Sequence, residues 1–363
     1  MRFVKTNEIK IGQRLAKPVY NKEGVLLYGR GTTVNESVLH HVSNMNTFGF
    51  YVLDATEPLP TITPEEKEFE RFQTVSCRTL QKELNDFIEG HDSNALEILA
   101  KTIVNNYGCL SEKITFIQSI RGNEDGVYKH CLNVAMLCAM LSHKLKVDPK
   151  EQFNLVQAAF YHDLGKLIAP QDILNKPDKL TSEELYIVRQ AEIEGFDIVK
   201  KSYRLPSTVK RYITQLRIEQ MNKIPGTAKQ QQTLLLGTKI LQVADMYDIL
   251  TAMRVYKDPT SEFDAVSFLQ SKRDLYDDNI VDAIIESINI LPPGCCVELT
   301  NGEKGLVLSE SPYYPLRPTI LGFKTNTIYD LSQRKTYDTV KIKSVMKTLD
   351  NRFMMSTPDN TPN

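Results

Sequence analysis

The run Tyr161-His162-Asp163-Leu164-Gly165-Lys166 sets an imidazole beside a carboxylate, with a lysine four residues after the histidine. Imidazole nitrogen and carboxylate oxygen together suit borderline or hard divalent ions such as Fe, Mn, Co, Ni or Zn. Two ligands do not complete a site, so a site carried on helices must recruit others from neighbouring helices. His130 and Asp245 are the candidates. His130 follows the polar stretch Asn123-Glu124-Asp125, and Asp245 lies within the apolar text ILQVADMYDILTAM. A carboxylate there is costly unless a metal or charged partners satisfy it. Singly, each has a plainer reading: a helix-end His-Asp pair, a hydrogen-bonded core histidine, a buried carboxylate bonded to a tyrosine or to backbone. The order His, His-Asp, Asp on successive helical blocks favours a shared ion, held by His130, His162, Asp163 and Asp245.

Around that set, Asp163 and Lys166 are the expected catalytic residues, with Lys166 holding a phosphate oxygen as a point charge. Without the motif, Lys166 reads as a solvated helix-end lysine. Asp248, one turn from Asp245, either supports a ligand from behind or pairs with Arg254. Arg211, Arg217 and Lys223 offer phosphate contacts, Arg217 being the expected substrate-binding one, or they form a solvated basic face.

The elements that must position these residues are mostly helical. In 128–146, His130, Val134, Leu137, Leu141 and Leu145 step along one helix face. A second helix covers 151–164. A third covers 181–201, where Thr181 and Glu184 form a capping box. The strongly apolar 233–253 reads as a buried helix. Residues 1–55 read as a small β module, and 56–119 as a linker and helical segment. Residues 120–291 read as the main helical domain. After Pro292-Pro293-Gly294 the pattern turns to strands, with Asn301-Gly302 as a hairpin turn, giving a β appendage at 292–350 and a disordered tail at 351–363. The fold class is mainly α: a helical bundle flanked by small N-terminal and C-terminal β units.

The 363 residues fit two or three domains, and 44 basic against 45 acidic side chains leave a net charge of −1. That balance gives no electrostatic case for nucleic acid or a polybasic membrane contact. The sequence shows neither a membrane-spanning apolar run nor a signal-peptide pattern, so a cytoplasmic protein is expected. The six cysteines include no CxxC pair, which argues against a zinc knuckle and for reduced thiols.

The order His130, His162-Asp163, Asp245 resembles the HD superfamily of metal-dependent phosphohydrolases. The text HDLGKLIAPQDILNKPDKLTSEEL is similar to its HD-GYP branch, as is ILQVADMYDILTAMRVYK. The likeness runs over about 120–290. The first 55 residues and the stretch 296–345 resemble modules that often flank that domain. The resemblance implies an HD-type bundle, a divalent ion such as Fe or Mn, and a nucleotide or cyclic dinucleotide ligand such as cyclic di-GMP. It also allows signalling proteins as partners and a homodimer.

The sequence departs from that branch in its downstream ligands. Ala191, in AEIEG, stands where the family carries a histidine. Leu216 and Arg217 lie near the next two histidine positions, and Ile224-Pro225-Gly226 is all that is left of the GYP signature. No histidine follows His162. Those residues supply the family's further metal ions, so one ion per chain and weak or absent cyclic di-GMP hydrolysis are expected. Glu124, Asp125, Glu192 and Glu194 are the carboxylates placed to rescue a second ion. The alternative is an inactive descendant acting as a nucleotide sensor or interaction regulator, and the plainest reading is a structural protein with relic ligands.

Overall fold

The computed structural model of the chain describes residues 2–21, 25–45, 47–53, 63–91, 94–222, 232–253 and 259–346. Lys223, Ile224-Pro225-Gly226, Gln230, Gln231, Arg254, most of the Pro/Thr-rich stretch after residue 55 and the tail 351–363 lie outside them.

The N-terminal part contains β1 (Arg2–Lys5), β2 (Arg14–Leu15), β3 (Val19–Tyr20), β4 (Leu26–Tyr28), α1 (Glu36–Ser43) and β5 (Gly49–Leu53). β5 is the central strand of an antiparallel β1-β5-β2 sheet, and β3 pairs with β4. Alternate inward side chains, among them Val4, Leu15, Val34, Val42, Phe50 and Val52, make its own small core.

The helical body follows as α2 (Pro64–Ile88), α3 (Ala95–Tyr107), α4 (Gly126–Lys144), α5 (Pro149–Tyr161), α6 (Leu164–Ile168) and α7 (Gln171–Leu174). It continues as α8 (Ser182–Lys201), α9 (Ser207–Asn222), α10 (Leu236–Thr251), α11 (Glu262–Ser271) and α12 (Asp278–Ser287). Local chemistry sets the starts. Thr63 and Thr181 each form a complete capping box, and Asp148 caps α5 ahead of Pro149. α4 is buried on every side from His130 to Ser142, and α10 nearly so, because α2, α3, α5, α10 and α12 all pack on α4. A one-faced stripe over 128–146 is therefore too narrow a description of α4.

A five-stranded antiparallel sheet closes the described chain, in the order β10-β6-β7-β8-β9. Its strands are β6 (Cys296–Leu299), β7 (Lys304–Ser309), β8 (Thr319–Gly322), β9 (Ile328–Asp330) and β10 (Ile342–Val345), with α13 (Arg334–Tyr337) before the last. The Asn301-Gly302 turn joins β6 to β7, Gly302 taking φ 81°. Val297, Leu299, Val307 and Ile320 from this sheet belong to the same apolar core as the helices. The architecture is the expected helical bundle with a small β unit at each end. No helix among the described residues is long and apolar enough to cross a membrane.

The expected single helix over 151–164 is broken. α5 stops at Tyr161, His162 caps it, and Asp163 leaves helical geometry (φ −113°, ψ 23°) before α6 begins. The break lets α6 lie backbone-to-backbone on α8. A Cβ added to Gly195 would fall 2.3 Å from Gly165 N, and one added to Gly165 would fall 2.4 Å from Glu192 Cα. Helical backbone cannot yield as a side-chain tip can. Gly195→Ala is expected to destabilise the fold by about 1–3 kcal/mol, the usual range for overpacking, which urea denaturation of the two proteins will measure.

Candidate metal centre

Three helical elements bring the four predicted ligands together. His130 comes from the first third of α4, His162 and Asp163 from the α5–α6 break, and Asp245 from the middle of α10. His130, Asp163 and Asp245 are 3%, 7% and 7% exposed, and the His162 side chain is fully buried. His130 Nε2 lies 3.2 Å from His162 Nε2, 3.2 Å from Asp245 Oδ1 and 3.3 Å from Asp163 Oδ2. His162 Nε2 lies 3.7 Å from Asp245 Oδ1 and 3.8 Å from Asp163 Oδ2.

The three spacings around His130 Nε2 are those a shared cation requires, and the two from His162 are about half an ångström wider. Ligand atoms each about 2.1 Å from one ion stand about 3.0–3.4 Å apart at octahedral or tetrahedral angles. Both Nδ1 atoms are already engaged. His130 Nδ1 donates to Asp248 Oδ2 at 2.6 Å, and His162 Nδ1 donates to the Ala159 carbonyl at 2.8 Å. That pairing leaves each Nε2 lone pair aimed at the common point, the arrangement by which proteins orient ligating histidines. Asp245 Oδ1 is buried with no hydrogen-bond partner. An orphaned carboxylate oxygen in a dry core is costly, and a cation at the common point would satisfy it. The donor set therefore fits a divalent ion.

The electrostatics agree. Burial pushes the His130 imidazole down, but Asp163, Asp245 and Asp248 more than offset it and hold it up at about 9. Burial also opposes charge on His162, and Asp163 and Asp245 raise it well above its ordinary value. Burial likewise opposes the carboxylates. Lys166 and the two histidines nonetheless draw Asp163 well below the usual range, the histidines do so for Asp245, and Arg121 and His130 do so for Asp248. Three carboxylates thus favour positive charge at this point, whether as protons on imidazoles or as a metal ion.

The other candidates are placed as follows. Lys166 Nζ contacts Asp163 Oδ2, so it is not a solvated helix-end lysine. It also lines a cavity of about 580 Å3 together with His130, Asp163, Arg121, Lys176, Lys179 and Phe48. Arg217, expected at the substrate, does not line that cavity. It pairs with Glu192 at 2.7 Å and faces a separate pocket of about 20 Å3 with His162, Asp163 and Lys166. Ala191 is buried beside it on α8. Asp125 bonds Lys129 and the Gly122 N–H, so it turns away from the ligands. Gln232 donates to Gln215 O at 2.9 Å and Glu219 Oε1 at 3.1 Å.

Sequence reasoning missed the groups behind Asp248. Its carboxylate, 0% exposed, accepts both 2.7 Å bonds from Arg121 Nη2, and bonds from Asn133 Nδ2 at 2.9 Å and Gln118 Nε2 at 3.1 Å. Arg121 is thus its cationic partner among the described residues; Arg254 lies outside them. The available signal was Asn133 inside CLNVAMLCAML, a polar side chain that must find partners in so apolar a helix.

Residues 114–280 match the HD domain family. Several curated relatives are also similar in sequence. A cyclic di-GMP phosphodiesterase of Pseudomonas aeruginosa is 24% identical over 238 residues, covering 64% of this chain and 55% of its own length. A 3′3′-cGAMP-specific phosphodiesterase of Vibrio cholerae is 28% identical over 173 residues, 46% of this chain and 32% of its own. A probable cyclic di-GMP phosphodiesterase of the same species is 30% identical over 144 residues, 37% of this chain and 33% of its own. The chain spans about a third to just over half of the length of these relatives. Among solved structures, an HDG"Y"P protein from Bdellovibrio bacteriovorus gives a TM-score of 0.45 at 16% identity, covering 78% of this chain and 97% of its own.

Two expectations follow for the HD domain. Asp248→Asn leaves the Arg121 charge buried without its counter-ion, which costs about 3–5 kcal/mol, and it unfixes the His130 ring, which weakens metal binding by about 10–100-fold. Thermal melting and metal titration of that variant measure both. The second concerns pH. A histidine held at about 9 against an ordinary 6.5 stabilises the metal-free fold fully below pH 6.5, and that support is lost as pH rises through about 9. The depressed carboxylates act in the opposite sense, supporting the fold above about pH 4. Chelator-treated protein should therefore melt progressively lower from pH 6.5 to 9. Added Mn2+ competes with those protons, so its gain in melting temperature should be larger at pH 8.5 than at 6.5.

Proposed function

We propose that this chain is a divergent phosphohydrolase that binds one divalent ion through His130, His162, Asp163 and Asp245 and acts on a nucleotide, of which the cyclic dinucleotides are the first class to test. The observation that carries the reading is the buried convergence of His130, His162 and Asp245, with Asp163 Oδ2 3.3 Å from His130 Nε2, where His130 and Asp163 line the 580 Å3 cavity. That volume lies within the usual range for small-molecule sites. The named activities of the relatives supply the substrate class. On this reading 120–291 is the catalytic unit, 1–55 and 56–119 precede it, and 292–350 buttresses it.

An ion there would polarise a phosphoryl oxygen and lower the pKa of a water molecule. The chain supplies the rest. Of the two carboxylates beside the histidines, Asp163 is the one that also lines the cavity, where it can orient an attacking water. Lys166, held against Asp163, presents positive charge at the cavity wall for a phosphate oxygen. Lys176 and Lys179 extend that charge along the same wall, although Lys176 is also tied to Glu184 at 2.9 Å. Phe48, from the N-terminal module, gives a face on which a base can stack. The low-dielectric core fixes the histidine rings, so little reorganisation accompanies charge development.

The centre is read as mononuclear because of what stands on the far side of Asp163. The small pocket there holds the cations of Lys166 and Arg217, and its carboxylate Glu192 is already paired with Arg217. A second metal ion would face two resident positive charges where it needs ligands. That same filling favours a second reading: a nucleotide sensor that binds without turnover.

Elemental analysis of protein purified without chelator, with cyclic di-GMP turnover in added Mn2+ or Fe2+, tests both. We expect one ion per chain and slow hydrolysis that His162→Ala abolishes. Two bound ions, or fast hydrolysis, would overturn the mononuclear reading. Nucleotide binding with no hydrolysis under any metal would select the sensor.

A further inference from the structure

A second cavity, of about 200 Å3, lies at the seam between the N-terminal module and the helical body. Its walls come from β3, β5, α2, the segment 117–122 and the start of α4. The seam is pinned. Phe48 N–H donates to the Arg121 carbonyl at 3.0 Å, Thr47 and Gly122 form a β-bridge, and Arg30 pairs with Glu70 at 2.8 Å. The segment Ile117–Gly122 is a partition one chain thick. Gln118 and Ser119 line this cavity, whereas Arg121 lines the larger one beside His130.

Lys17 is the unusual group in this wall. It is 8% exposed, and among the described residues its Nζ donates to a single acceptor, the Gln118 carbonyl at 2.6 Å, while resting 4.1 Å above the centre of the Tyr51 ring. A buried ammonium has three protons to place. Glu70 of the same wall is committed to Arg30, and Glu262, though close enough to act on Lys17 through space, makes no ion pair with it among the described residues. Beside Gln118, Ser119 Oγ is buried without any hydrogen-bond partner. A cation with donors to spare and an orphaned hydroxyl, both in the wall of one cavity, call for an acceptor-rich, negatively charged group.

We propose that this cavity binds a small molecule bearing an oxyanion, phosphate or carboxylate, against Lys17 Nζ and Ser119 Oγ, and that the bound molecule acts on the metal centre through Gln118. The path is short and fully hydrogen-bonded. Gln118 holds Lys17 with its carbonyl, and its side chain donates to Asp248 Oδ1 at 3.1 Å. Asp248 Oδ2 in turn fixes His130 Nδ1 at 2.6 Å. Gln73, also in the cavity wall, reaches the same carboxylate through Asn133. A ligand that draws Lys17 inward therefore shifts the Gln118 backbone and, with it, the support of a metal ligand. The N-terminal module then acts as half of an effector site. The link to the metal rests on the ligand assignment proposed above; the cavity site does not.

The full chain is titrated with inorganic phosphate and, separately, with succinate, by calorimetry and thermal melting. The same is done for Lys17→Met, Ser119→Val and the metal-site variant His162→Ala. We expect one of the two anions to bind wild type and to raise its melting temperature, which identifies the oxyanion. We expect His162→Ala to keep that binding, Lys17→Met to lose it, and Ser119→Val to weaken it. Saturating anion should change the Mn2+ dissociation constant of wild type about fivefold or more, and Mn2+ should change the anion's affinity by the same factor. Binding of neither anion, or binding equal in wild type and Lys17→Met, overturns the site. If Lys17→Met does not fold, Ser119→Val decides on the same criterion. An unchanged Mn2+ affinity overturns the link. If no protein binds Mn2+ yet the anion response still depends on Lys17, the metal assignment fails and the cavity site stands.

Discussion

The carboxylate of Asp248 is wholly excluded from water and carries a full charge, and much of the helical body is arranged to neutralise it. Arg121 meets it with both 2.7 Å bonds, His130 with one at 2.6 Å, and Asn133 and Gln118 with the remaining donors. An isolated carboxylate could not persist there, since burial alone would protonate it. Asp248 lies on α10 and its partners come from α4 and the segment leading into α4, so charge neutralisation and the register of these elements are one constraint. A slide of α4 by a single residue would take His130 and Asn133 away from Asp248.

That constraint sets the chemistry in front of it. With Nδ1 of His130 held by a carboxylate and Nδ1 of His162 by a carbonyl, neither ring can rotate without losing a buried hydrogen bond. The two Nε2 atoms are thereby kept 3.2 Å apart, a spacing that favours a positive charge between them. Asp163 and Asp245 add negative charge at the same point. Stability and ligand geometry are thus linked: the network that makes a charged core tolerable also preorganises the donors.

The opposite side of Asp163 is built differently. There stand the small Ala191, the Gly165–Gly195 backbone contact and an Arg217–Glu192 pair. Cationic side chains stand in the space: Lys166 meets Asp163, and Arg217 is paired with Glu192. The large cavity lies on the other side, where the wall is rich in lysine and is completed by Phe48 of the N-terminal module. The two β units are therefore not equivalent: one shares the helical core, the other contributes to cavity walls.

The sequence by itself determined the helical class, the capping boxes at Thr181 and the turn at Asn301-Gly302, because these depend on neighbours a few residues apart. It also singled out His130, His162, Asp163 and Asp245. Imidazoles and carboxylates in apolar helical text have few physical reasons to be there, and their order resembles a known family. Tertiary structure alone decided what depends on distant partners. It broke 151–164 at His162, because α6 must lie on the glycine of α8. It gave Asp248 to Arg121, a residue 127 positions away, and it paired Arg217 with Glu192. Charges find partners through space, and no local pattern records which carboxylate a given arginine will meet once the helices close around it.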